Sequence, residues 1–311
     1  MIRLSRREAL GLLAAATVTS GARAAAPACA DELDASSLRR NRALIAPLHS
    51  RKKPAVEGDW LLTNAEAGQS FEEYVATVRA PVCRRFRRIY LQPIGSFSNA
   101  TRPVVASVID GLSRFYGLEV QPLPAVPLGM IPAAARRTFS DDARTQLLTT
   151  YLINSILLPR RPPDAASVLG LTAHDLWPGE GWNFVFGQSS LADRVGVWSI
   201  YRNGNPDGSA QQRRQFLWRT LKIASHETGH MFGMRHCTRY ECGMNGSNSR
   251  RESDRQPLEF CPECQAKIWW ACGVDPKRRL ASLLQYGKRQ GFTADVAYWR
   301  SALERLRSSS T

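Results

Sequence analysis

The chain has 311 residues, of which 43% are apolar, and a formal net charge of +15 at pH 7. This length and composition allow a packed core, exclude a disordered or fibrous protein, and favour one large domain or one domain in two lobes. The positive charge indicates affinity for an anionic partner. Because the paired arginines are scattered along the chain rather than gathered in one stripe, we expect no nucleic-acid partner.

The first residues have the pattern of an export signal. A basic start containing Ser5-Arg6-Arg7 precedes an apolar run, and Ala22-Arg23-Ala24 is a small-x-small cleavage site. The run is too short to span a bilayer, and the paired arginines favour the twin-arginine route, which exports folded proteins. We therefore expect residues 1–24 to be a signal peptide and the mature chain to be periplasmic or secreted, without a transmembrane segment. An ordinary secretory signal is the alternative.

Two regions with different hydrophobic patterns follow the signal. Residues 25–80 show no sustained hydrophobic period and predict a basic, loosely structured extension. The remainder predicts an α/β (α+β) domain over 81–311, with an N-terminal lobe to residue 233 and a C-terminal lobe over 234–311. The predicted elements are a strand over 87–95, helices over 104–116 and 142–158, strands over 182–187 and 194–200, a long helix over 211–230, and helices from about 265 and over 294–306.

The stretch HETGHMFGMRHCTRYECGM, which begins at His226, contains three of the five histidines of the chain. On a helix, His226 and His230 lie one turn apart on the same face, so both imidazoles can reach one metal ion. Glu227 lies beside them and suits a general base acting on a metal-bound water. Gly233 lets the chain leave the helix sharply, which brings His236 to a third ligand position. Three histidines with an open fourth position are typical of catalytic zinc.

Two cysteine pairs form a second constellation. Cys237 and Cys242 follow the last of these histidines, and Cys261 and Cys264 form a C-x-x-C pair further along. This spacing is typical of a structural zinc site with four thiolates, whereas an exported protein can instead form two disulfides. Zinc is favoured because a direct C-x-x-C disulfide closes a small strained loop, and because folded export allows metal loading in the reducing cytoplasm.

Three cysteines lie outside this set. Cys272 is close enough in sequence to compete as a ligand, while Cys29 and Cys83 can pair with each other. Cys29 is also a weak lipidation site.

The complete pattern, H-E-x-x-H-x-x-G-x-x-H-C-x4-C-x-M followed after sixteen residues by C-x-x-C, resembles the archaemetzincin family of zinc metallopeptidases, in the metzincin clan. Asp175 and the segments 183–187 and 244–249 are also similar to that family, so the resemblance covers about residues 86–290. It implies a metzincin-like two-lobe fold. In that fold a mixed twisted sheet with two helices precedes an active-site helix and a Cys-rich, helical C-terminal lobe.

The resemblance also implies a role for each residue of the motif. Glu227 is the base, and Met244 is the Met-turn residue beneath the metal. The ligands it implies are His226, His230 and His236 for a catalytic zinc and Cys237, Cys242, Cys261 and Cys264 for a structural zinc. We therefore expect two zinc ions per chain and hydrolysis of peptide bonds in a peptide or protein by Glu-assisted attack of a zinc-bound water. Aminopeptidase action is compatible with the resemblance, and the export signal and basic extension depart from the family pattern.

Two other functions stay open on the sequence. A zinc amidase of the cell envelope, acting on peptidoglycan stem peptides, would suit the export signal and the positive charge. A non-catalytic zinc module that binds an anionic envelope polymer would suit the charge and the cysteines, but Glu227 speaks against it because a structural site needs no base. Hydrolysis assays with peptides and muropeptides separate these functions.

Overall fold

The computed structural model describes residues 35–78, 80–139 and 144–308. The predicted signal peptide and Cys29 lie outside these ranges. The helices are α1 (Ala35–Ile45), α2 (Trp60–Thr63), α3 (Phe71–Val78), α4 (Thr101–Tyr116), α5 (Thr149–Tyr151), α6 (Ala210–Met231), α7 (Arg250–Arg255), α8 (Pro262–Cys272), α9 (Pro276–Gln290) and α10 (Thr293–Ser308). The strands are β1 (Arg88–Ile94), β2 (Glu119–Pro122), β3 (Arg136–Thr138), β4 (Thr145–Leu148), β5 (Ala165–Thr172), β6 (Asp175–Trp177), β7 (Gly187–Ser190) and β8 (Val195–Ser199). Within the described ranges, no helix combines the length and the apolar character needed to cross a membrane.

The main sheet has five strands in the order β2-β1-β5-β8-β7. All neighbouring strands are parallel except β7, which is antiparallel to β8. The central strand β5 is buried at every position, as expected for a parallel strand covered on both faces. β7 lies at the edge of the sheet against α6, so residues 187–190 face the helix that carries the histidine motif.

The second sheet corrects one predicted helix. Its strands are ordered β3-β4-β6, and β4 occupies the start of the segment 142–158 that was predicted to be helical throughout. Helical turns begin only at Thr149. Pairing of Gln146 with Asp175 and of Leu147 with Leu176 on β6 extends the backbone here, because tertiary pairing overrides a short helical period. The predicted strand over 182–187 is likewise mostly loop.

The helices predicted around the motif are present. α4 packs against α6 and α9, buries Val108, Leu112 and Phe115, and ends at Gly117, whose φ of 67° is left-handed. α6 begins at a capping box in which Ser209 and Gln212 bond reciprocally. Its C-terminal half carries His226 and His230.

Residues 35–78 are not the loosely structured extension that the sequence predicted. α1 and α3 pack against α8 of the C-terminal lobe, and Leu38 and Tyr74 are buried in the main core. The Tyr74 hydroxyl donates to the carbonyl of Phe232, just past the end of α6, at 2.7 Å. The apolar residues of this region sit on short helices joined by polar loops, so no long hydrophobic period marks them in the sequence.

Candidate metal centres

Helix α6 and the turn after it gather the three predicted histidines. The Nε2 atoms of His226 and His230, one turn apart, lie 3.0 Å from each other. Gly233 takes a φ of 85°, which lets the chain reverse beneath the helix and brings the His236 ring to centroid distances of 5.3 and 4.8 Å from those of His226 and His230. One nitrogen from each ring lies within 4.8 Å of the other two.

The hydrogen bonds of the first two histidines define their tautomers. His226 Nδ1 is 2.8 Å from the carbonyl of Gly243, and His230 Nδ1 is 2.8 Å from that of Met234. Because a carbonyl only accepts, each Nδ1 donates and each Nε2 presents a free lone pair. Burial lowers the pKa of His226 and brings that of His230 to about 4, which keeps both rings neutral. Two lone pairs at 3.0 Å repel each other unless a cation lies between them, so this arrangement fits zinc.

The third histidine is held by a residue that the sequence did not reveal. His236 Nδ1 lies 2.9 and 3.0 Å from the two carboxylate oxygens of Glu66, so it also donates and leaves Nε2 free. The indole of Trp60 and the His236 ring are in a T-shaped contact, with their ring centroids 5.3 Å apart. Both residues belong to the segment that lacked a hydrophobic period, and no spacing rule links them to a motif so far along the chain.

Glu227 lines the same cavity as the three histidines. Its Oε2 accepts a 2.5 Å hydrogen bond from Ser189 on β7. Burial raises the pKa of Glu227 to about 7, against the opposing effect of the Ser189 hydroxyl. Gly187 leaves the room that this carboxylate needs, since a Cβ there would lie 2.6 Å from Oε1. A carboxyl group with this pKa can both take and return a proton near neutral pH.

Met244 packs against Gly229 of α6, the helix that carries His226 and His230. It is fully buried, and a Cβ added to Gly229 of α6 would come within 2.6 Å of its Sδ. Its carbonyl accepts from the amide of Cys237 at 2.7 Å. Met244 therefore links the floor of the histidine centre to the first cysteine.

The four predicted cysteines converge as a second centre. Their Sγ atoms all lie within 4.8 Å of one another, and none of the four forms a disulfide. The sulfur of Cys242 accepts from the backbone amides of Cys261 at 3.1 Å and Met244 at 3.4 Å. Burial raises the pKa of Cys242 and Cys261, and the neighbouring cysteines add to the effect. Four buried sulfurs in this geometry fit a closed tetrahedral zinc site.

The remaining cysteines are separate from this centre. Cys272 is buried and free but is not part of the converging group. Cys83 is disulfide-bonded, and Cys29, its predicted partner, lies outside the described residues.

Two cavities border the histidine centre. The larger, about 550 Å³, is bounded by α6, by the aromatic loop 182–186 and by residues after Met244. A smaller one, about 360 Å³, is lined by Glu66, Gly68 and Arg235 beside His230 and His236.

Asp175 supports the wall of the larger cavity rather than the metal centre. It is fully buried, and Arg202 donates to both of its oxygens at 2.8 and 2.7 Å, while Arg144 lies 3.2 Å away. The Arg202 guanidinium in turn lies 3.6 Å from the ring centre of Phe184, which lines the cavity. Asp175 thus fixes the aromatic loop through Arg202.

Comparison with known proteins places this geometry in a family. Residues 165–269 match the family described as Peptidase family M54. Archaemetzincin-2 of Macaca fascicularis is 34% identical, over 73% of this chain and 71% of that protein, and archaemetzincin-2 of Homo sapiens has the same identity and coverage. The chain belongs to the archaemetzincin family.

The structural comparison agrees with this assignment. The crystal structure of archaemetzincin from Methanopyrus kandleri is 28% identical and has a TM-score of 0.50, covering 61% of this chain and 97% of that one. The predicted family resemblance and mixed α/β fold are therefore confirmed. This archaemetzincin is a zinc metallopeptidase, as the sequence predicted, and its substrates are peptides or proteins.

Proposed function

We propose that this chain hydrolyses peptide bonds at the three-histidine centre with Glu227 as general base, and that the four cysteines hold a second, structural zinc ion. The observation that carries the proposal is the tautomer arrangement of the histidines. Each Nδ1 is occupied as a donor, so three Nε2 atoms are left to ligate one ion next to Glu227. Three protein ligands leave a fourth position open, whereas four cysteines close theirs.

In the proposed reaction, one residue of the chain, Glu227, carries out both proton transfers. A zinc ion at the histidines would polarise the peptide carbonyl and make the attacking water more acidic. Glu227 takes a proton from that water and later delivers it to the leaving amine. Ser189 holds the carboxylate in place by its 2.5 Å bond. The pKa of about 7 places Glu227 between its two protonation states at neutral pH.

The substrate site supports an extended peptide. β7 is the edge strand of the main sheet and borders the cavity, so its free backbone groups can pair with a peptide strand. The aromatic loop 182–186 offers an apolar wall to a side chain next to the scissile bond. Trp182 lines the cavity and is 52% exposed, so its indole is accessible to a bound peptide.

We also propose that the mature chain acts outside the cytoplasm. The export pattern in residues 1–24 motivates this location, and the disulfide at Cys83 supports it because such bonds persist in oxidising compartments. Subcellular fractionation of the full-length chain, with and without Arg6 and Arg7, tests the location and the route. A cytoplasmic product of unchanged length in both cases contradicts export.

Replacement of the base tests the mechanism. We expect Glu227→Gln to retain two zinc ions per chain and to lower kcat by about 10²–10⁴-fold, because the amide cannot take the proton. Glu180→Gln, an exposed carboxylate, is the matched control. Full activity of Glu227→Gln contradicts the mechanism, and one zinc per chain contradicts the second site.

The choice of substrates tests the reaction class. The peptides include free and blocked N-termini, which separate aminopeptidase from endopeptidase action, and purified muropeptides serve as a parallel substrate. Cleavage of muropeptides alone would replace the peptidase proposal with an envelope amidase.

A further inference from the structure

The third histidine depends on a distant segment in a way that the other two do not. His226 and His230 stand on α6, and the motif itself supplies the carbonyls of Gly243 and Met234 that hold their Nδ1 atoms. His236 lies beyond the helix in irregular chain. Its Nδ1 partner is Glu66, which is 170 positions earlier in the sequence.

The chain next to Glu66 is bonded to the chain on both sides of His236. The Gln69 side chain donates to the carbonyl of Gly233 at 3.4 Å and accepts from the amide of Arg235 at 3.2 Å. The Thr238 hydroxyl donates to the carbonyl of Ala67 at 3.4 Å. Glu66 is therefore placed relative to His236 by neighbours of both residues, not by one flexible contact.

A buried lysine fixes the same segment to the C-terminal lobe. Lys267 on α8 is 1% exposed, and its Nζ donates to the Gln69 carbonyl at 2.7 Å and to the Gln69 side-chain oxygen at 3.1 Å. A buried ammonium is unfavourable without such acceptors, so the segment and the lysine stabilise each other. The amide of Phe71 adds a bond to Glu263 at 2.9 Å. α8 begins next to Cys261, so this anchor also leads to the cysteine centre.

The other end of the segment also contacts His236. The backbone amide of Trp60 donates to both oxygens of Glu252, at 3.0 and 3.1 Å. The indole of Trp60 meets His236 edge-on and lies so close to Gly246 that a Cβ there would be 2.4 Å from the ring. His236 is thus in contact with both the Trp60 ring and the Glu66 carboxylate.

We propose that Glu66 is a positioning residue of the catalytic centre that fixes the tautomer and the ring direction of His236. The packing of segment 59–70 against the rest of the chain keeps the Glu66 carboxylate at His236. This inference rests on the proposed zinc site. A carboxylate on Nδ1 raises the basicity of a ligating imidazole and fixes its ring, and loss of such a partner lowers metal affinity about 10–100-fold. Backbone carbonyls already orient the other two rings, so His236 is the ligand most sensitive to a side-chain change.

Zinc affinity measured by competition with a chromophoric chelator tests this role without peptide turnover. We expect Glu66→Ala in the full chain to weaken the binding of one zinc ion about 10–100-fold and to leave the ion at the cysteines unchanged as an internal reference. Glu66→Gln keeps an acceptor for Nδ1–H but loses the charge, so its loss is smaller. Glu57→Ala removes an exposed carboxylate of the same region and binds both ions as the parent chain does.

Two further measurements separate positioning from a structural or catalytic role. The urea midpoint of the chelator-treated protein stays unchanged in Glu66→Gln, because the variant alters metal binding rather than packing. At saturating zinc, Glu66→Ala recovers most of its kcat, which a variant lacking a catalytic group does not do.

Unchanged affinity for both ions in Glu66→Ala and Glu66→Gln overturns the inference. If Glu66→Ala does not fold, Glu66→Gln decides alone. A parent chain that binds zinc at the histidines but cleaves no peptide contradicts the proposed function. An active parent chain whose Glu66 variants bind zinc as tightly as the parent contradicts only the role of Glu66.

Discussion

Gly187→Ala tests whether the position of the Glu227 carboxylate governs turnover. A Cβ at residue 187 would lie 2.6, 2.8 and 2.9 Å from Oε1, Cδ and Cγ of Glu227, all well inside van der Waals contact. Gly187 does not have a positive φ, so the substitution introduces no backbone strain and acts through the clash alone. Because the Cβ sits on β7 backbone, the carboxylate must move by about 1 Å to relieve the contact.

The expected effect on catalysis is large, and the effect on folding is moderate. A misplacement of about 1 Å lowers turnover about 10²-fold, and overpacking of a buried site costs about 1–3 kcal/mol. The assay combines kcat on an unblocked peptide, zinc content and urea unfolding. Gly129→Ala is the matched control, since a Cβ there has nothing within 4 Å. Activity of Gly187→Ala within twofold of the parent, with two zinc ions bound, would refute the claim that the position of the Glu227 carboxylate governs turnover.

Three further changes probe other parts of the molecule. Cys261→Ala should lose one zinc ion, lower the urea midpoint and reduce kcat, because Cys237 directly follows His236; unchanged zinc content, stability and activity contradict a structural zinc site. Burial lowers the pKa of His49 to about 4, below its value of about 6.5 in the unfolded chain. The free energy of unfolding should therefore rise with pH between about 4 and about 6.5, by about 2 kcal/mol from pH 5 to pH 7. His49→Gln should flatten this rise in urea unfolding, and an unaltered slope is the contrary result. Asp175→Asn should lower the free energy of unfolding by about 3–5 kcal/mol, because it leaves two arginines without a buried counter-charge. It should also raise KM, because the cavity loop that contains Phe184 loses its support. An unchanged KM contradicts the link between Asp175 and this loop.

Local spacing explains why the three-histidine site could be predicted from the sequence. His226 and His230 are four positions apart on a helix, and Gly233 marks the turn that returns His236, so the convergence of three rings needs only local geometry. The cysteine pairs follow the same logic, and in the folded chain their four sulfurs converge without a disulfide, which favours a zinc site over the alternative of two disulfides. The predicted helix over 142–158 failed because pairing of β4 with β6, a long-range contact, outweighed its apolar period.

By itself, the sequence determined the family and the α/β class, and it predicted the candidate zinc ligands and the base, since each rests on residue type at short separations along one helix or turn. Only the tertiary structure decided which groups surround them. Glu66, Ser189 and Gly187 reach the centre from a segment or strand distant in sequence, and the chain that carries Glu66 looked unstructured. The physical reason is that a hydrogen bond to an imidazole or a carboxylate leaves no periodicity, so its partner is visible only when the chain has folded around it.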